Sequence, residues 1–295
     1  MTPSKKSRPA ARRGTTRRQW LLGMGGLLGA AAGVVAYSRW VEPTWVEVAQ
    51  VDLPVPGLPA AWDGARVALI SDLHCGPWVP TDYLRACMDR VRALRPDLVA
   101  ATGDFVTIGG AGFAETATGL LDGLRPPLGT FACLGNHDYG IFTPTRGARP
   151  GLVAGALLDS DVRLLRNEAV RLTLQGQDLW LAGTDDYWAG NCRPEQAVRD
   201  IPAGAAALTL CHNPTATPSL EKAGCRTILA GHTHGGQVHL PLLGPPILPQ
   251  GTRPFYRGLY TIGRATLYVN RGLGWIRQVR LACRPEITVL TLCRG

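Results

Sequence analysis

The 295-residue chain holds six histidines, and five of them fall in short polar clusters that each follow an apolar run. His74 lies in Ser71-Asp72-Leu73-His74 and His137 in Gly135-Asn136-His137-Asp138. His212 lies in Cys211-His212-Asn213-Pro214, and His232 and His234 share Gly231-His232-Thr233-His234. Gly103-Asp104 forms a fifth cluster, and His239 stands apart. Polar clusters at the C-terminal ends of strands are where α/β sheets place ligands. Imidazole, carboxylate and amide donors without thiolates suit hard or borderline divalent ions: Mn, Fe, Zn or Mg. Asp72, Asp104, three or four imidazoles and the Asn136 amide exceed the needs of one ion, and point to two metals sharing a bridge.

Spacing supports this reading at two scales. Asp72 to Asp104 is 32 residues, and Asp104 to Asn136 is again 32. That is the length of a strand, a crossover helix and a return strand, so the three loops belong on one edge of one sheet. Locally, Asp-x-His and His-x-His place two ligands at i and i+2. An extended chain points such residues the same way, whereas a helix turns them about 200° apart.

The elements needed to position these loops are legible. Arg66–Ser71, Leu98–Thr102 and Thr130–Leu134 are short apolar runs expected as buried strands. Between them, helices are expected at about 81–95, with Leu84, Met88, Val91 and Leu94 on one face, and at about 113–124. This β-α-β-α-β series implies right-handed crossovers. Val170–Leu174 and Leu179–Ala182 flank Gln175-Gly176-Gln177-Asp178 as a hairpin. Ala206–Leu210, Thr227–Ala230, Ala265–Val269 and Ile287–Leu292 are further strands, and residues 43–64 read as an extended lead-in. The expectation is an α/β domain over 43–295 with two packed sheets and helices outside.

Charge separates this body from its N-terminus. Residues 1–40 hold eight of the 31 basic residues and no acid, leaving 23 basic against 22 acidic in the remainder. The net +9 therefore belongs to a tail, and no nucleic-acid partner is indicated. Gln19–Ser38 is a twenty-residue uncharged run, long enough as a helix to span a bilayer. Thr16-Arg17-Arg18-Gln19-Trp20-Leu21-Leu22 resembles a bacterial twin-arginine export signal, implying the twin-arginine machinery as a partner. The basic tail stays cytoplasmic, so residues 41–295 are expected on the extracytoplasmic face of the membrane. The segment either persists as an anchor, the favoured reading, or is cleaved near Ala30-Ala31-Ala32. The eight cysteines show no CxxC or zinc-finger spacing, so most are expected as buried free thiols.

The order DxH, GD, GNHD, H, GHxH across residues 66–234 resembles the calcineurin-like metallophosphoesterases. Gly235-Gly236-Gln237, Arg257-Gly258-Leu259-Tyr260, Asn270-Arg271-Gly272-Leu273-Gly274 and Arg284-Pro285-Glu286-Ile287 extend the likeness to a bacterial membrane-associated subgroup, which includes exported phosphoesterases and UDP-diacylglucosamine pyrophosphatases. The resemblance implies a four-layer α/β/β/α sandwich. It implies that Asp72, His74 and His234 hold one divalent ion, that Asn136, His212 and His232 hold the other, and that Asp104 bridges them. His137 would contact the phosphate and protonate the leaving group, with Asp138 orienting its imidazole. Two ions bring +4 and the two carboxylates return −2, leaving charge for a hydroxide and an anionic ester. Such a pair lowers the pKa of water and clamps the phosphoryl oxygens. Gly103-Asp104-Phe105-Val106-Thr107 lacks the Asp-Arg-Gly continuation of Ser/Thr protein phosphatases, and Asp138 replaces their Glu. Arg253, Arg257 and, foremost, Arg271 are candidate substrate contacts, although surface charge or carboxylate pairing is the commoner role of such arginines. Tyr139, Phe142 and Trp188 are candidate walls of an apolar groove, with core packing the commoner role. The leading expectation is a metal-dependent phosphoesterase, diesters favoured. A phospholipid or UDP-sugar-lipid pyrophosphatase comes second, and an inactive binding scaffold is the remote third.

Overall fold

The computed structural model describes residues 16–108, 110–141 and 150–295. Phe142 and the basic residues of 1–15 lie outside them. The chain forms two compact units, residues 1–37 and residues 38–295.

In the first unit, α1 (Arg17–Ala36) starts in a capping box. The Thr16 hydroxyl accepts from the Gln19 amide at 3.3 Å, and the Gln19 side chain accepts from the Thr16 amide at 2.9 Å. Two orphan donors of the first turn are thereby satisfied. Arg17 and Arg18 are the opening residues of the helix, and none of its side chains is buried. By length and composition the helix is apolar enough to cross a membrane.

A π-helical turn, Tyr37–Val41, carries the chain into the second unit, where a 3-10 turn, Glu42–Thr44, and then β1 (Glu47–Val55) follow. There follow β2 (Arg66–Ile70), α2 (Thr81–Ala93), β3 (Leu98–Thr102), α3 (Ala111–Asp122), β4 (Thr130–Cys133), α4 (Pro150–Leu158) and β5 (Val162–Leu164). The second half runs β6 (Glu168–Leu174), β7 (Gln177–Gly183), α5 (Pro194–Val198), β8 (Ala207–Leu210), α6 (Thr217–Lys222), β9 (Thr227–Ala230), β10 (Gly258–Ile262), β11 (Ala265–Val269) and β12 (Glu286–Arg294). One six-stranded sheet has the order β1-β12-β2-β3-β4-β5, and the other β10-β11-β9-β8-β7-β6.

Alternation along the strands builds the layers, because successive side chains leave opposite faces of a sheet. Val67, Leu69, Leu98 and Ala100 enter a core shared with Leu181, Leu208, Leu210 and Leu229 of the second sheet. Ala68, Ile70, Val99 and Ala101 face the other way, onto Leu84, Met88 and Val91 of α2 and onto α3 and α4. On the outer face of the second sheet, Ile228, Ala230 and Leu267 pack with Leu220 of α6 and Val198 of α5. Both faces of each sheet are thus covered, which is why these strands are nearly continuous apolar runs. The outcome is the expected four-layer α/β/β/α sandwich.

The 32-residue spacing performs as expected: β2, β3 and β4 are parallel neighbours. Gln175 and Gly176 turn the β6–β7 hairpin with φ of 50° and 76°, the positive values that a tight two-residue turn requires. The lead-in over 43–64 carries a nine-residue strand, β1, paired parallel to β12. Pro54 obscures this strand in the sequence, and β1 tolerates it by lying at the sheet edge, where a missing N–H costs no ladder bond. The second compact unit starts at Ser38. The Arg280 amide donates to the Ser38 carbonyl, and the buried Glu42 carboxylate accepts the Ala282 and Cys283 amides.

Candidate dinuclear metal centre

Every cluster picked out by sequence arrives at one place, on the loops after β2, β3, β4, β8 and β9. The loops are stitched edge to edge. The Asp72 amide donates to Gly103 O at 2.9 Å and the His74 amide to Asp104 O at 2.9 Å. The loop of residues 270–274 closes from behind, with Leu273 N on Ser71 O and Gly274 N on Asp72 O.

The backbone departs from the expected extended form. Asp72, His74, Asp104, His232 and His234 all have positive φ, between 50° and 73°. The i and i+2 ligands converge through left-handed turns and not through an extended strand. Each such non-glycine residue costs on the order of 1 kcal/mol, and clusters of them mark functional sites. Close approach fixes the intervening glycines. A Cβ at Gly135 would strike the Asp104 carboxylate, and one at Gly231 would strike the Ser71 hydroxyl.

Each carboxylate is split between positioning and presentation. Asp104 Oδ1 accepts the His137 amide at 2.8 Å, while Oδ2 lies 3.2 Å from His212 Nε2 and 3.8 Å from His74 Nε2. Asp72 Oδ2 accepts the Ser71 hydroxyl and the His232 amide. Its buried Oδ1 has no hydrogen-bond partner and lies 3.4 Å from His234 Nε2. Two donor sets result, Asp72-His74-His234 and Asp104-His212-His232. Asp104 Oδ2 is within reach of both. Asn136 Oδ1 stands 3.2 Å from His212 Nε2 and completes the second set.

The electrostatics fit cations in the gap. Burial pushes His74 down to about 3, and drives His232 and His234 well below the usual imidazole range, so these rings present neutral lone pairs. Burial works to raise the Asp104 carboxyl, but His212 and His137 hold it well below the ordinary value. Burial raises Asp72 to about 6, with the Asp104 charge adding to the shift. Crowding buried carboxylates against converging imidazole nitrogens and an orphaned oxygen is unfavourable unless positive charge lies between them. Outer partners fix the rings. His212 Nδ1 meets Thr102 O at 2.6 Å, leaving Nε2 as the inward donor, and His74 Nδ1 meets the Thr107 hydroxyl.

His137 is buried beside His74, ring centroids 5.0 Å apart, and its Nδ1 has no hydrogen-bond partner. The expected orientation by Asp138 is not what the structure holds. Asp138 Oδ1 accepts the Phe105 and Val106 amides, and Oδ2 accepts the Asp104 and Gly135 amides, at 2.9–3.1 Å. It pins the β3 loop to the β4 loop, and so positions Asp104 and Asn136. Burial and the Asp104 charge push the Asp138 carboxyl up to about 8, with the Gly135 and Val106 amides pulling against that shift. Arg271 is also corrected: its guanidinium is bound to Glu286 and lies 3.2 Å from Glu47, so it is spent on carboxylates. Arg257 reaches Ala282 O and stacks near Tyr256, and Arg253 is exposed. Trp188 sets its edge against His232 at 4.4 Å, and Tyr139 donates to Asp185 at 2.6 Å.

Sequence reasoning missed three residues here. Asn213 Nδ2 lies 3.3 Å from His232 Nε2. Asp185 is gripped by Arg166 at 2.9 Å and by Tyr139, tying the His137 loop to the end of β7. Asp186 is fully buried with Oδ2 unpartnered, and burial raises it to about 6. Gly183-Thr184-Asp185-Asp186 follows a strand as Gly103-Asp104 does, and that was the available signal.

A two-sheet sandwich with two donor sets sharing one carboxylate at its strand ends defines a dinuclear metal-dependent hydrolase class. The model of the calcineurin-like phosphoesterases matches residues 65–236, and the chain belongs to that family. It is 30% identical to phosphodiesterase YaeI of Escherichia coli, over 94% of this chain and 99% of that one. It is 31% identical to the metallophosphoesterase YkuE of Bacillus subtilis, over 94% and 97%. It is 26% identical to the UDP-2,3-diacylglucosamine pyrophosphatase LpxG of Chlamydia trachomatis, over 90% and 94%. The protein is a phosphoric ester hydrolase of the kind that uses two divalent metals.

Proposed function

We propose that the protein hydrolyses phosphodiesters, with one metal held by Asp72, His74 and His234, the other by Asn136, His212 and His232, and Asp104 between them. The carrying observation is the placement of Asp104 Oδ2 within 3.8 Å of one donor set and 3.2 Å of the other. When bound, two divalent ions polarise the phosphoryl oxygens and supply a deprotonated water as nucleophile. The chain's own work is positional. Asp104 and Asp72 neutralise part of the metal charge and leave the pocket attractive to an anionic ester. His137, with a buried Nδ1 free of partners, donates a proton to the leaving alcohol. Asp138 holds the two loops in register. The likeness to phosphodiesterase YaeI favours the diester.

A second reading, a lipid-linked pyrophosphate as substrate, is favoured by the likeness to LpxG and by the apolar α1. A domain boundary at about residue 43, export of the domain by way of Arg17-Arg18 and its extracytoplasmic placement belong with the first reading, the phosphodiesterase. A UDP-lipid is cytosolic, so external placement would weigh against that substrate. The test is metal-stripped protein titrated with Mn, Zn, Mg and Fe and assayed on p-nitrophenyl phosphate and its bis ester side by side. Metal-dependent diester turnover that Asp104→Asn abolishes upholds the proposal. Turnover of the monoester alone overturns the diester assignment, and absence of both turnover and bound metal overturns the enzyme.

A further inference from the structure

Four residues after His234 the chain enters a run without any charged side chain, Val238 to Thr252, closed by Arg253 and Arg257. Its tip is Leu242-Leu243-Gly244-Pro245-Pro246-Ile247, in which Leu242, Leu243 and Ile247 are strongly exposed. Exposed large aliphatics are unremarkable singly, but three in six residues make a patch that calls for a partner. The tip is held in shape. Leu240 and Gly244 exchange backbone hydrogen bonds at 3.0 and 2.9 Å, Pro245 packs against Gly236, and prolines limit the alternatives. This is a built projection.

The base of the projection is fastened to the segment 277–284. The His239 amide donates to Leu281 O, and the Gln237 side chain donates to Arg277 O and Val279 O. The residues that follow α1 in sequence grip the same segment: Ser38 O accepts the Arg280 amide, and Arg39 donates to Gln278 O. Trp40 and Val41, in that connector, are exposed as well. Cationic side chains gather on this segment: Arg39 and Arg257 donate to Gln278 O and Ala282 O, and Arg277 and Arg284 belong to it, Arg284 lying over the Trp45 ring at 4.3 Å. An aliphatic tip whose base shares the segment 277–284 with arginines and with a Trp40-bearing connector, itself continuous in sequence with an apolar twenty-residue helix, has the composition of a membrane–water interface.

We infer that the projection of residues 238–252 inserts its Leu242/Leu243/Ile247 tip into the interface of an anionic phospholipid bilayer. This rests on α1 as a membrane segment and not on which ester is cleaved. Because the projection starts four residues from His234, and Cys283 Sγ lies 3.3 Å from His234 O, insertion would bring the site to headgroup level. The bilayer is the occupant favoured over a second copy of the chain by the arginine rim, since like-charged rims repel.

The test uses the full chain in phosphatidylglycerol-containing proteoliposomes, with Cys192 and Cys293 changed to alanine and an environment-sensitive fluorophore on Leu243→Cys. The same label on Gln175→Cys, in the β6–β7 turn, is the control. Doxyl-labelled lipid should quench the label at 243 about twofold or more beyond the control. The triple variant Leu242→Asp/Leu243→Asp/Ile247→Asp should lower turnover of a vesicle-embedded phosphodiester by roughly tenfold while leaving the soluble bis(p-nitrophenyl) ester unchanged. Quenching at 243 equal to the control overturns the inference. So does crosslinking of Leu243→Cys between two copies, which would make the tip a dimer contact. The quenching readout stands even in a protein that fails to turn over the soluble ester, which would count against the proposed function alone.

Discussion

Asp104 divides its two oxygens between a backbone amide and the gap between the donor sets, so its charge and its geometry are separable. Asp104→Asn keeps an oxygen for the His137 amide but loses the charge. It should lower metal-dependent turnover by about 10³-fold or more, roughly 4 kcal/mol, with bound metal falling below two per chain by elemental analysis. His137→Ala should leave two metals bound and cut kcat by about 10²–10³-fold with a small change in KM, the signature of a lost proton donor. These ligands were legible because imidazole and carboxylate clusters after apolar runs have few uses. Asp138 was legible as important but not in its role, since nothing in Gly-Asn-His-Asp says that its oxygens turn to four backbone amides and away from the histidine beside it. Arg271 misled for a similar reason. Its carboxylate partner Glu286 is distant in sequence, and only folding brings them together.

At the level of elements, the loops after β3 and β4 are joined by the Asp138 carboxylate. Asp138→Asn replaces an acceptor with a donor that faces two of the four amides. A loss of about 3 kcal/mol in urea unfolding is expected, together with a fall in activity. His137→Ala, one residue away, should leave the unfolding midpoint nearly unchanged. Gly135→Ala tests close approach, since its methyl group must displace the Asp104 side chain. It should cost about 1–3 kcal/mol and weaken metal binding in the same titration. The parallel β2-β3-β4 block was readable from its 32-residue repeat and apolar runs. β1 was not, because an edge strand buries less, carries a proline, and its pairing with β12 spans more than 200 residues of chain. The left-handed turns at Asp72 and His74 were equally invisible: Asp and His enter that region more readily than most residues but still uncommonly, and the backbone hydrogen bonds that hold them there come from loops distant in sequence.

For the molecule as a whole, the metals should act as stabilisers, because the native fold gathers ligands that the unfolded chain scatters. Saturating metal should contribute roughly 3–4 kcal/mol, and chelation should lower Tm by about 5–15 °C in a calorimetric scan. Alkaline pH should also destabilise. Burial raises Cys87 to about 11 and raises Cys225, so both stay protonated in the native state where the unfolded chain would ionise. Their contribution is complete below the unfolded thiol pKa of about 8.5–9 and is lost as pH rises toward the native value, because the unfolded state then binds fewer protons. Tm should fall from about pH 9 upward, less steeply in Cys87→Ala.

The position of β12 reaches into the history of each molecule. It lies between β1 and β2, so the first strand has no place in its sheet until residues near 290 exist. Ribosomal synthesis delivers β1 more than 200 residues before its partner β12. β1 therefore waits unpaired while the strands of both sheets are made, and the edge of its sheet closes only after the rest of the domain exists.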